Sequence, residues 1–316
     1  MKKLFLGHSN LEVSPVALGG NVFGWTADEP MAFKILDAFV EAGFNFIDTA
    51  DSYSRWLPGN KGGESETIIG KWLKLSSKRD KVVIATKVGS EMGPNKKGLS
   101  KPYILRAAED SLKRLQTDHI DLYQSHFDDP DTPMDETLEA YAQLVEQGKV
   151  KAIGASNFSA ERLLQALQIS KQLGYPSYQS LQTLYNLYDR EDYESNLEHV
   201  CLDKGLGVIT YFSLASGFLT GKYRSDMDLS KSARRGFAKK YLNERGLRIL
   251  DALDKVARQY NATPAKVSLA WLMTRPGITA PISSVTSLGQ LKELIESARL
   301  KLDDSSVKLL NDASVY

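Results

Sequence analysis

The chain carries a single cysteine, Cys201, among 316 residues. Internal disulfides are excluded, as is any zinc or iron–sulfur centre built from several thiolates, and the usage fits a reducing cytoplasm. Its four histidines, His8, His119, His126 and His199, include no close pair of the kind that grips a metal, so a catalytic metal is not expected. Charge of neither sign is in excess. The net charge of +1 gives no electrostatic reason to bind DNA, RNA or an acidic membrane surface. No apolar stretch reaches the roughly 18 residues that a membrane span requires. The opening MKKLFLGHSN turns polar after three apolar residues, which is not the pattern of a secretory signal. A dinucleotide fingerprint is missing too. VALGGNVFG has three glycines, but not in G-x-G-x-x-G order and with no helix directly behind, which disfavours a Rossmann domain.

What the chain does have is alternation. Strand-like apolar runs begin near Val16, Phe44, Val82, Ile120, Val150, Tyr178, Val208 and Ile278, with helical patterns between them. SKPYILRAAEDSLKRLQ puts Ile104, Leu105, Ala108, Leu112 and Leu115 on one stripe, with Ser100 as the expected cap and Pro102 in the first turn. TPMDETLEAYAQLVEQG opens on Thr132 and Pro133, SAERLLQALQISKQLG runs from Ser159 to Gly174, and ATPAKVSLAWLM opens on Thr263 and Pro264. Eight strand–helix units imply right-handed crossovers and a parallel sheet, and over this length they fit a closed (β/α)8 TIM barrel, read as one domain over residues 1–316. Residues 3–13 read as an N-terminal β-hairpin capping the closed end. The stretch Ser216–Arg245 is too long and polar for a plain connection. It follows the seventh strand and reads as a flap over a ligand.

Four polar residues sit at or just beyond the ends of these runs. FNFIDTADSY carries Asp48 and Tyr53, KVVIATK ends on Lys87, and HIDLYQSH ends on His126. Strands buried on both faces are nearly all apolar, so charge at the exit end of several neighbours suggests a shared site. A buried lysine tends to lose its proton unless a carboxylate stands beside it, and Asp48 is the expected partner of Lys87. Tyr53, five residues past Asp48, can turn back over the strand ends. A free phenol has a pKa of about 10, and a nearby ammonium contributing about 3–4 kcal/mol would lower it into a useful range for protonating an alkoxide. His126 can donate a hydrogen bond to a substrate carbonyl. Asp48 and Asp51 could instead be the paired carboxylates of a hydrolase, a reading that leaves Lys87 without a role.

With GESETIIGKWL, IATKVG, GKVKAIGASNF, LQTLYNLYDRE, GVITYFSLASGFLTGKY and SSVTSLGQLKE, the chain resembles the aldo-keto reductase superfamily over essentially its whole length. The resemblance implies a barrel enzyme that reduces aldehydes and ketones with NADPH and without a metal. Asp48, Tyr53, Lys87 and His126 fall on that family's catalytic positions, Tyr53 being the proton donor. Ser156, Asn157 and Gln182 stand where the family holds the nicotinamide carboxamide, and Tyr211 where it stacks an aromatic ring on the nicotinamide. The turn Tyr211-Phe212-Ser213-Leu214 lacks the proline of the family's usual Tyr-Ser-Pro-Leu pyrophosphate loop, whereas Gly217 and Lys222 match. At the adenine end Ser284-Val285-Thr286 replaces a Gly-Ala-Arg or Gly-Ala-Ser turn, and Gln290 and Glu293 keep the spacing for adenosine contacts. With no arginine at 286, a 2′-phosphate would rely on Ser284, Thr286, Arg234 or Arg235. NADPH is expected over NADH. The implied partner is a small carbonyl substrate, with pocket walls from Trp56, the 55–62 loop, Phe127 and the flap around Phe218 and Tyr223. The family also contains channel accessory subunits that bind the nucleotide and turn over slowly, which leaves a regulatory role as the alternative.

Overall fold

A computed structural model describes residues 2–94, 96–229 and 235–316. The first pair of strands, β1 (Leu4–Phe5) and β2 (Glu12–Val13), is antiparallel, with Leu4 opposite Val13. Leu6, Leu11 and Val13 of this hairpin are buried in the same cluster as Phe46, Val83, Ala85, Leu122, Ala152, Ile209 and Ala280. The hairpin therefore plugs the entry end of a barrel formed by the later strands. Its turn needs Gly7, which has φ +58° and whose missing Cβ would lie 2.1 Å from the carbonyl oxygen of Gln179.

Eight parallel strands close into that barrel: β3 (Ala17–Gly19), β4 (Phe46–Asp48), β5 (Val83–Val88), β6 (Ile120–Ser125), β7 (Val150–Ser156), β8 (Tyr178–Leu184), β9 (Gly207–Tyr211) and β10 (Ile278–Ser283). They pair in chain order, and β10 returns to β3. Each begins within two residues of its expected start; Phe44 expected against Phe46 observed is the largest offset. This is the (β/α)8 architecture. Alternation divides each strand between two cores. Phe46, Val83, Ala85 and Leu122 fill the barrel interior, whereas Ile47, Ile84, Val88 and Tyr123 face the helices. Register carries the same alternation to the exit end. Asp48 lies beside Ala85, and Lys87 beside Gln124, so the inward face ends in polar residues.

Helix starts follow local chemistry in most cases. Asp28, Ser159, Asn243, Thr263, Ser287 and Asp303 each accept a hydrogen bond from an amide of the first turn they precede. Ser100 does not, contrary to expectation. Its helix, Lys101–Leu115, is capped from outside, because Glu136 of the next helix (Met134–Glu146) accepts from the Lys101 amide at 2.9 Å. The segment after β9 also departs from a plain overhanging flap. Residues Ala215–Thr220 form a tight turn whose Ala215, Ser216, Phe218 and Leu219 are buried, and Phe218 stacks on Tyr241. Farther along, Met227 and Phe237 are exposed, and residues 230–234 between them lie outside the described residues.

The helices Glu64–Ser76 and Lys101–Leu115 cross closely at Gly70, where a Cβ would lie 2.0 Å from the Arg114 carbonyl oxygen. Gly70→Ala should cost about 3 kcal/mol or prevent folding. Gly289→Ala, in the helix Leu288–Ser297 with only a 3.8 Å neighbour, should instead gain about 0.5–1 kcal/mol. Urea unfolding of both variants checks the pair.

Candidate active site

Lys87 is completely buried at the end of β5 and uses all three ammonium protons. Nζ donates to Asp48 Oδ2 at 2.7 Å, to the Thr49 carbonyl oxygen at 2.8 Å and to Tyr53 Oη at 3.2 Å. Burial alone would strip its proton, but the charge and hydrogen bond of Asp48, with Tyr53, raise its pKa above the usual lysine value. Because Tyr53 Oη is the acceptor from Nζ, the phenol's own proton is left to point elsewhere. The loop that carries Tyr53 is held by the start of the helix Glu64–Ser76. Ser65 N donates to the Tyr53 carbonyl at 3.1 Å, and Glu64 accepts from the amides of Ser54, Lys61 and Gly62.

The direction of the Tyr53 shift is a correction. A lowered pKa is the expectation from an adjacent ammonium, yet burial of the phenol dominates and pushes it above the ordinary tyrosine value. Lys87 pulls down through charge and hydrogen bond, but Asp48, which keeps Lys87 charged, also cancels part of its field at the phenol. His126 meets Tyr53 edge-on with ring centres 5.9 Å apart. Burial, and then the Lys87 charge, hold its pKa well below the usual histidine value, so the imidazole is neutral. Its Nδ1 is buried with no hydrogen-bond partner among the described residues. A neutral ring can still donate one hydrogen bond.

A layer of amides lies beside the acid pair. Gln182 Nε2 donates to Asp48 Oδ1 at 2.8 Å and to Gln124 Oε1 at 3.2 Å, and Gln124 Nε2 reaches the same Asp48 oxygen at 3.4 Å. Asn157, with φ +57°, donates to the His126 carbonyl oxygen and to Ser156 Oγ, and accepts from Tyr211 Oη at 2.7 Å. Ser156, Asn157, Gln182 and Tyr211 thus share one hydrogen-bonded rim with His126 and Asp48.

The remaining expected cofactor positions are more scattered. Phe212 is 42% exposed, with φ +48°. Ser213 turns its hydroxyl inward, where it bonds to Thr210. Leu214 packs partly buried against the outer core. Gly217 has φ +92°, and a Cβ there would touch the exposed Lys222 side chain at 3.3 Å. Ser284 Oγ bonds to Asn21 Oδ1. Gln290 Oε1 accepts from the Thr286 amide at 2.8 Å and its hydroxyl at 3.3 Å, so the pair also caps its own helix. Glu293 is partly exposed on that helix. Arg234 lies outside the described residues, as does the side chain of Arg235.

Two expected pocket walls are corrected. Phe218 and Tyr223 are buried in the outer core rather than facing a pocket. The rim aromatics are Trp56 and Phe127, each about half exposed, with Trp25 edge-on to Trp56 at 5.7 Å and Phe127 stacked on His126 at 4.9 Å. Sequence patterns alone do not point to Trp25, Asn21, Thr49 or Gln124. Only Gln124 carries a signal, as a polar residue inside the run HIDLYQSH.

Asp51 is not a partner of Asp48. It is 2% exposed, its Oδ1 has no hydrogen-bond partner among the described residues, and burial followed by the Glu66 carboxylate pushes its pKa well above the carboxylate range, against the pull of Arg114 and Lys87. Glu66 itself bonds Thr86 and Arg114. A carboxyl whose native pKa exceeds its unfolded value holds its proton more tightly when folded. Stability therefore falls as pH rises from about 4 towards that higher native value. Asp51→Asn should raise Tm at pH 8 and lose most of that advantage near pH 4, as thermal melts at the two pH values will read.

Among the described residues, no group of three or more His, Cys, Asp or Glu could hold a metal ion, and no helix is long and apolar enough to cross a membrane. Known proteins align with nearly the full chain. The family model described as "Aldo/keto reductase family" matches residues 15–314. "Uncharacterized oxidoreductase YrpG" of Bacillus subtilis is 37% identical, over 99% of this chain and 95% of its own length. "Aldo-keto reductase yakc [NADP(+)]" of Schizosaccharomyces pombe is 31% identical, over 88% of this chain and 81% of its own. "Probable voltage-gated potassium channel subunit beta" of Oryza sativa is 32% identical, over 91% and 88%. With a family model and relatives of this identity running along nearly all of its length, the chain belongs to the aldo/keto reductase family and is an oxidoreductase of the kind that works with a nicotinamide cofactor.

Proposed function

We propose that this protein reduces an aldehyde or ketone to an alcohol with NADPH, Tyr53 giving the proton. The observation that carries the reading is the Tyr53 phenol, which accepts from a fully bonded Lys87 ammonium and keeps its own proton free. A nucleotide held by these residues would supply hydride to the carbonyl carbon. Tyr53 protonates the carbonyl oxygen as charge builds on it, and neutral His126 donates a hydrogen bond that orients the same oxygen. Lys87 stabilises the phenolate left behind, and Asp48 keeps Lys87 charged. Donors and acceptors on Ser156, Asn157 and Gln182 suit an amide, and the Tyr211 ring suits a flat heteroaromatic. Lys222 serves the phosphates. Phe212, Ser213, Leu214 and Gly217 line the pyrophosphate turn, and Ser284, Thr286, Gln290 and Glu293 the adenosine end.

NADPH is preferred over NADH on two grounds. One relative's name carries NADP(+), and Ser284 and Thr286 offer hydroxyls at the adenosine end. The rim of Trp25, Trp56 and Phe127 favours apolar carbonyls. The single, buried Cys201 fits a reducing cytoplasm.

NADPH oxidation with a reactive aromatic aldehyde is the test. Tyr53→Phe should lose about 10²–10⁴ of kcat with little change in nucleotide affinity. A Tyr53→Phe protein as fast as wild type removes the proton-donor assignment. Relatives named as channel β subunits keep a regulatory reading in view. Tight NADPH binding without turnover across a broad carbonyl panel would favour it. Lys222→Ala should raise the NADPH Kd about tenfold, the loss of one charge-assisted contact, measured by fluorescence titration.

A further inference from the structure

Gln124 lies beside Lys87 across the β5–β6 pair, two residues before His126, and is completely buried. With Asp48 and Gln182 it closes a triangle of hydrogen bonds, at 2.8, 3.2 and 3.4 Å. Both protons of Gln182 Nε2 are engaged, one by Asp48 Oδ1 and one by Gln124 Oε1, while Gln182 Oε1 receives no donor among the described residues. The reversed amide would press its one carbonyl oxygen against both the Asp48 carboxylate and Gln124 Oε1. Only one orientation of Gln182 is therefore stable. Gly154 makes the room for this arrangement. A Cβ there would come within 2.5 Å of Ser180 Oγ and 3.1 Å of Gln124 Cγ.

We propose that Gln124 is a positioning residue. It locks the amide of Gln182 so that Oε1, an acceptor, faces the amide N–H of the nicotinamide carboxamide. By sharing Asp48 with Gln182, it also ties the grip on the nucleotide to the field acting on Tyr53. The inference rests on the protein being an NADPH-dependent reductase. Ser156 supplies the complementary half: its oxygen accepts from Asn157 Nδ2, which leaves its hydroxyl proton for the carboxamide oxygen. Gln124 touches neither substrate nor nucleotide and acts through its two neighbours.

Among the described residues, the titratable groups facing Tyr53 are Lys87 from β5, His126 after β6, Asp48 and Asp51 from the exit of β4, and Tyr211 at the end of β9. Two amide donors on Oδ1 blunt the negative field of Asp48. Removing one should strengthen that field, hold the phenol's proton more tightly and move the alkaline limb of the kcat profile to higher pH.

The experiment combines a fluorescence titration with NADPH and a kcat–pH profile on Gln124→Met, Gln182→Met and the double variant. We expect Gln124→Met to raise the NADPH Kd about fivefold, one hydrogen bond's contribution. The double variant should bind no worse than Gln182→Met alone, because the first residue acts through the second. The alkaline limb should move up. Additive losses in the double variant, or a Gln124→Met protein within about twofold of wild type with an unmoved limb, would overturn the proposal. Should the methionine variant fail to fold by circular dichroism, Gln124→Leu takes its place. It lacks both the donor to Asp48 and the acceptor for Gln182, and an unchanged Kd there is equally fatal. A wild-type protein that neither binds NADPH nor reduces any carbonyl defeats the underlying function instead, so the two failures are distinguishable.

Discussion

Everything at the mouth of this barrel depends on keeping one ammonium charged where no water reaches it. Lys87 and Asp48 are 0% and 2% exposed, and taking two such ions out of water costs several kcal/mol each before their attraction returns anything. The pair is tolerated because no valence is left open. Lys87 has three acceptors, and Asp48 has the ammonium on one oxygen and two amide donors on the other. Remove Asp48 or Lys87 and a buried charge is left uncompensated, whereas loss of a neutral partner costs one hydrogen bond. That requirement reaches back into the backbone. Lys87 takes the Thr49 carbonyl as an acceptor, which fixes the path of the chain just before it turns towards Tyr53.

The opposite end of the barrel has charges too, and comparing them separates structure from chemistry. Asp121, near the start of β6, accepts from Arg79 and Lys151 at 2.8 Å each and from the Ile84 amide at 2.9 Å. Its cationic partners reach solvent, with Lys151 half exposed. Such a pair ties neighbouring strands together at modest cost and needs no further explanation. The exit-end pair differs in having no solvent access and in contacting a phenol. In a barrel of parallel strands, polar residues at the exit ends converge on one volume.

Strand positions were legible because a buried strand is a short apolar run with polar ends, and all eight such runs became barrel strands. Asp48, Tyr53, Lys87 and His126 stood out for the converse reason, as polar residues at those ends. Gln124 was less visible. It sits two residues before the end of its run, where only register with Lys87 reveals that it points inward. Phe218 and Tyr223 misled because an aromatic after a strand has the same spelling in a pocket wall and in a core; a tight turn at Gly217 carried both inward. Ser100 misled differently, since a cap from Glu136 depends on how two helices lie together. The sign of the Tyr53 shift was hidden for a related reason. It is a balance among burial, an ammonium and the carboxylate that serves it, and spacing along the chain weighs none of these.

That sign bears on how an acid of this kind would work. A phenol depressed to neutrality would stand partly as phenolate in the resting protein, with no proton to give. Held up by burial, Tyr53 is fully protonated at rest. On the proposed mechanism the Lys87 charge would contribute most as the proton leaves and negative charge appears on the phenol oxygen 3.2 Å away. An interaction that strengthens along the reaction lowers the barrier, whereas one fully expressed at rest only stabilises the starting state. His126 fits the same scheme. Held neutral by burial and by Lys87, it can polarise a carbonyl without competing with Tyr53 to deliver the proton.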